Sequence, residues 1–239
     1  MKQRGRQKAP ARRFYITLGI IAFLGAVGLI YVLTRPGAPQ LAQTIDPNAP
    51  LPDAQPYVLG DTTAPVRIME FADYQCPACA DFAVITEPDV RRRIVQEGLA
   101  SYHYYDYPLP QHRNSIPASL AAACAADQGR FWEMHDRLYN GQDRWAFERN
   151  PKGRFEDYAR EIGIDAGVWE ACYDDRRHLG RVQANAAVGA QLGVGSTPSF
   201  VINGQLIAGS LGYDRIRALV DSAAARAPRT DTASGGALR

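Results

Sequence analysis

The chain has 239 residues, of which 46% are apolar and 22% are charged. This composition is ordinary for folded proteins and excludes a disordered chain, while the length allows one sizeable domain with an appendage. Residues 1–13 hold six Lys and Arg and no acid, so the net charge of +2 comes from the N-terminus, and we expect no nucleic-acid partner.

Residues 14–33 follow this basic tail and contain no charged side chain. The segment is long enough to cross a bilayer as a transmembrane helix, and the preceding positive charges predict a cytoplasmic N-terminus. A cleaved signal peptide is the alternative, although its apolar core is usually shorter, about 7–15 residues. In both interpretations the rest of the chain is exported to the periplasmic or extracellular side, where disulfides persist.

Residues 34–56 contain six prolines and predict an extended, semi-rigid linker. The main domain is expected over residues 57–227, with a buried strand at Val66–Ala72. Glu70 lies within this strand, where a carboxylate is costly unless it has a function or a partner. Glu70 is predicted either to accept a proton inside the domain, with a raised pKa, or to reach water at the strand end.

Cys76-Pro77-Ala78-Cys79 follows this strand at the expected start of a helix. A helix N-terminus favours the thiolate of the first cysteine, and proline suits the first helical turn. The second cysteine is near enough to resolve a mixed disulfide. Half a zinc site or a structural disulfide are the alternatives, but no second C-x-x-C motif exists, and Ala80 excludes a c-type haem site. The motif therefore predicts a redox-active pair.

A helix is expected over residues 80–98, with an interruption at Pro88, and a second strand over Ser101–Tyr107. Two strands joined by one helix predict a right-handed unit with parallel strands. The helical segments that follow are too many for a simple crossover, so an inserted helical subdomain is expected over about residues 112–192. Its predicted helices are Ser115–Ala126, Phe131–Tyr139, Phe155–Ile162, Ala166–Tyr173 with an N-cap at Asp165, and Arg177–Leu192.

The C-terminal part predicts a hairpin and a last helix. Ser199–Asn203 and Gln205–Ala208 flank an Asn-Gly turn, which is the strongest local signal for a β-hairpin. Tyr213–Ala225 has the spacing of an amphipathic helix. Residues 228–239 are small and polar and predict a disordered tail.

Three motifs in this order resemble the DsbA family of thiol–disulfide oxidoreductases, and in particular its membrane-anchored, exported branch. They are Glu70 with the Cys76–Cys79 motif, residues 123–132 (ACAADQGRFW), and residues 193–200 (GVGSTPSF). The resemblance covers about residues 57–225. It implies an α/β, thioredoxin-like fold with an inserted α-helical subdomain, preceded by one N-terminal transmembrane helix.

The resemblance also assigns roles to single residues. It implies that Cys76 is the exposed nucleophile, Cys79 the buried resolving thiol and Glu70 the buried acid. It implies a cis bond between Thr197 and Pro198, which would present the Thr197 backbone to an extended substrate. An ordinary trans proline is the alternative.

Ala78 is a departure from the family, because the DsbA prototype has histidine between the proline and the second cysteine. Losing an imidazolium donor near Cys76 should destabilise its thiolate. We therefore expect a weaker oxidant than the prototype, with the same class of chemistry.

Cys124 and Cys172 both fall in the predicted insertion. Related DsbA-like proteins often join two such helices by a structural disulfide, so the resemblance implies a Cys124–Cys172 bond. Closing a loop of about 48 residues would stabilise the fold by roughly 4 kcal/mol in the chain-entropy model. Two buried free thiols are the alternative.

The sequence thus predicts a membrane-anchored, monomeric enzyme that oxidises thiols of exported proteins through Cys76–Cys79, without a cofactor or a metal. The family implies substrates with cysteines and a membrane quinone-linked re-oxidase of the DsbB or vitamin-K-epoxide-reductase (VKOR) type. A reductase or isomerase kept reduced by a membrane donor is the first alternative, although no dimerisation domain of the isomerase kind is visible. A peptide-binding, chaperone-like module is the second.

Overall fold

The computed structural model describes residues 54–226 together with five helical residues near the N-terminus, Tyr15, Ile16, Gly19, Phe23 and Gly25. None of the helices in these described residues is both long and apolar enough to span a membrane. Apart from those five residues, the predicted basic tail and transmembrane segment lie outside the described part of the chain. The predicted linker up to residue 53 and the predicted tail over residues 228–239 also lie outside it.

A five-stranded sheet forms the centre of the described domain. Its strands are β1 Tyr57–Leu59, β2 Arg67–Ala72, β3 Ser101–Asp106, β4 Ser199–Ile202 and β5 Gln205–Ala208. Their order in the sheet is β1-β3-β2-β4-β5. The predicted pairing of the first two long strands is confirmed, since β2 and β3 are parallel, and the other pairs are antiparallel. β1 was not predicted, because three residues are too few to show a periodic pattern.

Side chains of β2 alternate between the two faces of the sheet, as they do in any strand. Glu70 points to the first face, level with Tyr104 of β3 and Phe200 of β4. Met69 and Phe71 belong to a separate apolar cluster on the second face. The buried acid therefore lies on a face whose neighbouring positions are aromatic.

A helical segment follows β2 and covers the first face. It consists of α1 (Pro77–Asp81), a π-helical turn (Phe82–Thr86), α2 (Glu87–Val90) and a second π-helical turn (Arg91–Val95). Pro88 lies in the first turn of α2, where a missing N–H breaks no helical hydrogen bond. The predicted interruption at Pro88 is therefore a restart of the helix after a wide π turn.

Six helices separate β3 from β4 in the described domain and form the predicted insertion. They are α3 Ser115–Ala126, α4 Phe131–Asn140, α5 Gln142–Trp145, α6 Lys152–Glu161, α7 Ala166–Asp174 and α8 Leu179–Gln191. The four-residue α5 was not predicted, because one turn carries no helical periodicity. The predicted N-cap of α7 is confirmed, since Asp165 Oδ1 accepts hydrogen bonds from the N–H groups of Gly167 at 2.9 Å and Val168 at 3.0 Å.

Helix α8 covers the second face of the sheet at close range. A Cβ on Gly189 would lie 2.6 Å from the Tyr107 ring and 2.9 Å from the Phe71 ring, so only glycine allows this approach. The predicted hairpin joins β4 to β5, with positive φ at Asn203 and Gly204. A last helix, α9 Tyr213–Ala224, packs on the first face.

Candidate active site

The first cysteine of the motif lies at the N-terminus of α1. Cys76 is the N-cap residue and Pro77 begins the helix. The pKa of Cys76 is lowered to about 5, chiefly by a hydrogen bond from the Cys79 thiol. Thr197 and the N–H groups of Cys79 and Ala78 also lower this pKa, whereas burial acts against them. Donors at the start of a helix therefore hold Cys76 as a thiolate at neutral pH.

The second cysteine lies one helical turn further on and is fully buried. Cys79 has no exposed surface, and the two thiols are not joined. The expectation of an exposed Cys76 is wrong, since Cys76 is only 7% exposed and the Thr197 loop packs against it. Burial, and after it the hydrogen bond to Cys76, raises the pKa of Cys79 well above its ordinary value. Two thiols of one motif are thus in opposite protonation states, one a thiolate and the other protonated.

Glu70 lies on the first face of the sheet and is 1% exposed. Its carboxylate accepts a hydrogen bond from the Tyr102 hydroxyl. Burial, and after it the negative charge of Glu87, raises the pKa of Glu70 well above its ordinary value, although Tyr102 and Arg91 act against this shift. The charge of Glu70 in turn raises the pKa of Cys79. The alternative in which Glu70 reaches water is wrong, because helices cover this face of the sheet.

The loop before β4 brings a backbone carbonyl against the first cysteine. The carbonyl oxygen of Thr197 lies 3.4 Å from the Cys76 sulfur, which can donate a hydrogen bond to it only while it is protonated. The Thr197–Pro198 bond is cis, as the resemblance implied. The Ser199 hydroxyl donates to the Ser196 carbonyl at 2.7 Å and fixes the loop. Two predicted motifs that lie 121 residues apart therefore form one site.

An open groove of about 540 Å³ continues from this loop between the segment after β3 and helix α8. The Tyr107 hydroxyl donates to the Val194 carbonyl at 2.6 Å and ties the two sides together. The groove could take an extended, apolar stretch of polypeptide. Its lining includes Tyr107, Pro108, Leu109, Pro110, Gly195 and Ser196.

Asp73, three residues before the motif, anchors the loop that carries the first cysteine. Its buried carboxylate accepts hydrogen bonds from the N–H groups of Gln75 at 2.7 Å and Leu109 at 2.8 Å. His112 Nδ1 lies 2.7 Å from it, and the Ser115 hydroxyl donates to it. Sequence analysis missed Asp73, because all but one of these partners lie 36 to 42 residues further along the chain.

Gln75 links the same loop to the helical insertion. Its Nε2 donates to the Ala146 carbonyl at 2.7 Å, and its Oε1 accepts from the Asn114 N–H at 2.7 Å. Gln142 Nε2 donates to the Cys76 carbonyl at 3.0 Å. The insertion therefore holds the start of the motif through these three hydrogen bonds.

A buried ion-pair network lies near Glu70. Glu87 is 1% exposed, and its Oε1 accepts from Arg91 Nη2 at 2.6 Å and Nε at 2.8 Å. His135 Nε2 is 3.2 Å from Glu87 Oε2, and His135 Nδ1 is 3.1 Å from the Tyr74 hydroxyl. Burial would raise the pKa of Glu87, but His135 and Arg91 outweigh it and lower that pKa. The i,i+4 spacing of Glu87 and Arg91 was the one sequence signal for this network.

The second cysteine pair lies away from the motif, inside the helical insertion. Cys124 of α3 and Cys172 of α7 form the disulfide that the resemblance implied, with a Cα–Cα distance of 5.8 Å. Both are 1% exposed. The Trp169 indole donates to the Ala121 carbonyl at 3.0 Å, so the same two helices are also joined by a hydrogen bond.

Comparisons with known proteins agree with this architecture. Residues 53–222 match the model of the thioredoxin family. Disulfide bond formation protein D of Bacillus subtilis is 24% identical over 167 residues, which cover 69% of this chain and 75% of that protein. The structure superposes on alpha-DsbA1 of Wolbachia pipientis with a TM-score of 0.66 at 19% identity, covering 74% of this chain and 94% of that one.

A further relative has a different name. The Na(+)/H(+) antiporter NhaA 3 of Salinispora tropica is 34% identical over 184 residues, which cover 77% of this chain. The chain spans only 27% of that protein's length, so the similarity concerns one part of it. The thioredoxin family model, by contrast, matches most of this chain. The fold of the chain and its C-x-x-C motif agree with that match. The chain therefore belongs to the thioredoxin family, and its fold is similar to that of DsbA proteins.

Proposed function

We propose that the protein forms disulfide bonds in exported proteins and passes on its Cys76–Cys79 disulfide. The difference between the two thiols carries this proposal. The pKa of Cys76 is lowered to about 5, whereas burial raises the pKa of Cys79. A stabilised thiolate favours the reduced form of the pair, and a pair whose reduced form is favoured oxidises other thiols.

In the proposed reaction, a substrate thiolate attacks the Cys76 sulfur of the oxidised pair. A substrate–Cys76 bond forms, and Cys79 leaves as a thiolate that takes up a proton, because its pKa is high. A second substrate thiolate then attacks the substrate sulfur of this mixed disulfide and releases Cys76 as a stable thiolate. Two electrons pass from the substrate dithiol to the enzyme.

Glu70 is proposed to exchange the proton of Cys79. Its raised pKa keeps it able to donate a proton when Cys79 is released and to accept one when Cys79 attacks during re-oxidation. The neighbouring Glu87 keeps its charge through Arg91 and His135, and this charge is one cause of the raised pKa of Glu70.

The substrate is proposed to bind as an extended segment beside the Thr197 backbone and along the groove next to it. The Thr197 carbonyl oxygen lies 3.4 Å from the Cys76 sulfur, which places a backbone edge at the reacting atom. Backbone pairing would make this recognition tolerant of sequence. Such tolerance suits an enzyme that acts on many proteins.

Ala78 sets the expected strength of this oxidant. The DsbA motif contains histidine and has a thiolate pKa of about 3.5, whereas Ala78 offers Cys76 no imidazolium donor. A less stable thiolate implies a weaker driving force for oxidation. We therefore propose an oxidant weaker than DsbA.

The location and the partner are proposed from the sequence. Residues 14–33 would anchor a monomer to the membrane with its N-terminus in the cytoplasm, and residues 34–56 would hold the catalytic domain on the periplasmic or extracellular side. A quinone-linked membrane protein of the DsbB or VKOR type would then re-oxidise Cys76–Cys79. The name of the Bacillus subtilis relative, a disulfide bond formation protein, supports the oxidising direction.

The direct test mixes the oxidised full-length protein with a reduced peptide that contains two cysteines. The proposal expects one peptide disulfide for each protein, with thiols appearing at Cys76 and Cys79. An oxidised protein that leaves the peptide reduced, while the reduced protein opens a peptide disulfide, would instead show a reductase. Peptide binding that is unchanged in C76S, without thiol exchange in the native protein, would show a binding module.

A further inference from the structure

The Cys124–Cys172 disulfide has polar neighbours that the active site does not use. Both sulfur atoms and a ring nitrogen of His178 lie within 4.8 Å of one another. Asp127 lies beside them, with its Oδ2 3.0 Å from His178 Nε2 and 3.6 Å from Cys172 Sγ. The sequence indicated no metal site, because the spacing of His178 from the two cysteines matches no metal-binding motif. In the fold, the start of α8 brings His178 next to both of them.

We propose that Cys124, Cys172 and His178 bind one zinc ion when the disulfide between the two cysteines is reduced. Two thiolates and an imidazole are ligands that zinc prefers, and three protein ligands leave the fourth tetrahedral position for water. The His178 side chain is 19% exposed, so this position faces solvent.

The geometry of the reduced cluster suits this ion. Zinc–sulfur bonds of about 2.3 Å in a tetrahedral site place two sulfurs roughly 3.8 Å apart. The Cα atoms of Cys124 and Cys172 are 5.8 Å apart, so rotation about their χ1 angles can reach this separation while the helices stay in place. Asp127 would hold the His178 ring in position, since ligating histidines usually bind a carboxylate through the other nitrogen.

The local charges make the site depend on the redox state. Asp127 forms an ion pair with Arg177 at 3.3 Å, so these two charges balance while the disulfide is intact. Reduction gives two thiols, and a divalent cation that displaces their protons is neutralised by the two thiolates that it binds. The oxidised cluster offers neither the charge nor the sulfur ligands.

The redox step is balanced by an external dithiol. The reductant transfers two electrons and two protons, the sulfur–sulfur bond breaks, and the reductant becomes a disulfide. Zinc then displaces the two thiol protons as it binds. In the opposite direction, zinc leaves as an oxidant closes the bond. The site therefore exists in the chain before this disulfide has formed.

The test uses full-length protein with C76S and C79S, so that the active-site thiols cannot bind metal. The protein is reduced with dithiothreitol, freed of it without oxygen, and titrated with Co²⁺ and then Zn²⁺. We expect one ion per chain, a thiolate-to-cobalt charge-transfer absorption and its loss when zinc is added. The oxidised protein should show none of these signals.

Variants separate the cluster from adventitious binding by thiols. H178A should weaken zinc binding at least tenfold, D127N by about tenfold, and the control D175N, an exposed acid near the end of α7, should leave it unchanged. Equal affinity in H178A, or no cobalt–thiolate band, would overturn the proposal. If the reduced chain unfolds, recovery of its circular dichroism spectrum by zinc supports the site, and failure to recover contradicts it.

Discussion

The two cysteine pairs of this chain have opposite surroundings. Cys76 lies at the first position of a helix, next to N–H donors and to the Thr197 carbonyl, and is 7% exposed. Cys124 and Cys172 lie within two packed helices and are each 1% exposed. The position of a sulfur along its helix therefore decides whether it meets the N–H donors that stabilise a thiolate.

The two cysteine pairs also differ in how easily a substrate can reach them. An open groove ends at Gly195 and Ser196, in the loop whose Thr197 carbonyl lies beside Cys76. Cys124 and Cys172 are each 1% exposed, so an incoming thiolate has little access to their bond. One pair is therefore built for exchange with a substrate and the other for joining two helices, although both have the same chemistry.

The largest expected effect is the loss of exchange at the motif alone. C76S should lower the rate of peptide oxidation at least 10³-fold, because the attacked sulfur is gone, whereas C124S/C172S should change it by no more than about threefold. Peptide oxidation followed by alkylation and mass spectrometry measures both rates. A folded C124S/C172S variant that is as inactive as C76S would show that the second pair takes part in exchange.

The opposite ranking is expected for stability. C124S/C172S should lower the free energy of unfolding by up to about 4 kcal/mol, because the loop between these cysteines is no longer closed in the unfolded chain. Urea unfolding in the absence of zinc measures this change. C76S/C79S, compared with the reduced native protein, is the matched control and should cost less than about 1 kcal/mol. Equal losses of unfolding free energy in the two double variants would show that the Cys124–Cys172 pair is no more important for stability than the active pair.

Glu70 sharpens the comparison, because it is a buried acid whose charge acts on Cys79 of the active pair. E70Q should slow re-oxidation of the reduced motif by roughly 10²-fold, since Cys79 loses its proton acceptor. Stopped-flow measurements with a small oxidised disulfide give this rate, and the exposed Glu97 provides the control E97Q. An E70Q rate equal to that of the native protein across the pH range would exclude this role.

The smallest expected effect is the pH dependence of Cys76. Its pKa of about 5 keeps the thiolate above that pH, and the thiolate is lost as the pH falls through it. Alkylation of Cys76 should slow only about fourfold from pH 7.5 to 4.5, whereas an ordinary thiol slows roughly a thousandfold. Rapid-quench alkylation of reduced C79S is not a substitute here, because the Cys79 thiol is one of the donors to Cys76. A thousandfold change in the native reduced protein would contradict the thiolate.

Much of the fold could be predicted from local patterns. The apolar run before the motif, the Asn-Gly turn and the Asp165 cap act over a few residues, and the corresponding elements are present. Short elements such as β1 and α5 could not be predicted, because three or four residues show no period. The bond between Cys124 and Cys172 and the cis bond at Pro198 came from the resemblance and not from any local pattern.

The support of the active site could not be predicted in the same way. Asp73 and Gln75 have polar side chains whose main partners lie far along the chain, and no spacing rule joins them. The contact between Glu87 and His135 spans 48 residues and forms only when α4 packs on the helical segment after the motif. Burial of Glu70 likewise depends on helices that close over the sheet.

One redox titration tests the difference between the pairs most directly. Full-length protein is equilibrated in thiol–disulfide buffers of increasing reducing strength, and the thiols of each pair are counted by alkylation and mass spectrometry. We expect the Cys76–Cys79 pair to have a reduction potential above about −200 mV and the Cys124–Cys172 pair to have one below about −300 mV. Reduction of both pairs at the same potential, or of Cys124–Cys172 first, would contradict the assignment of exchange to one pair and structure to the other.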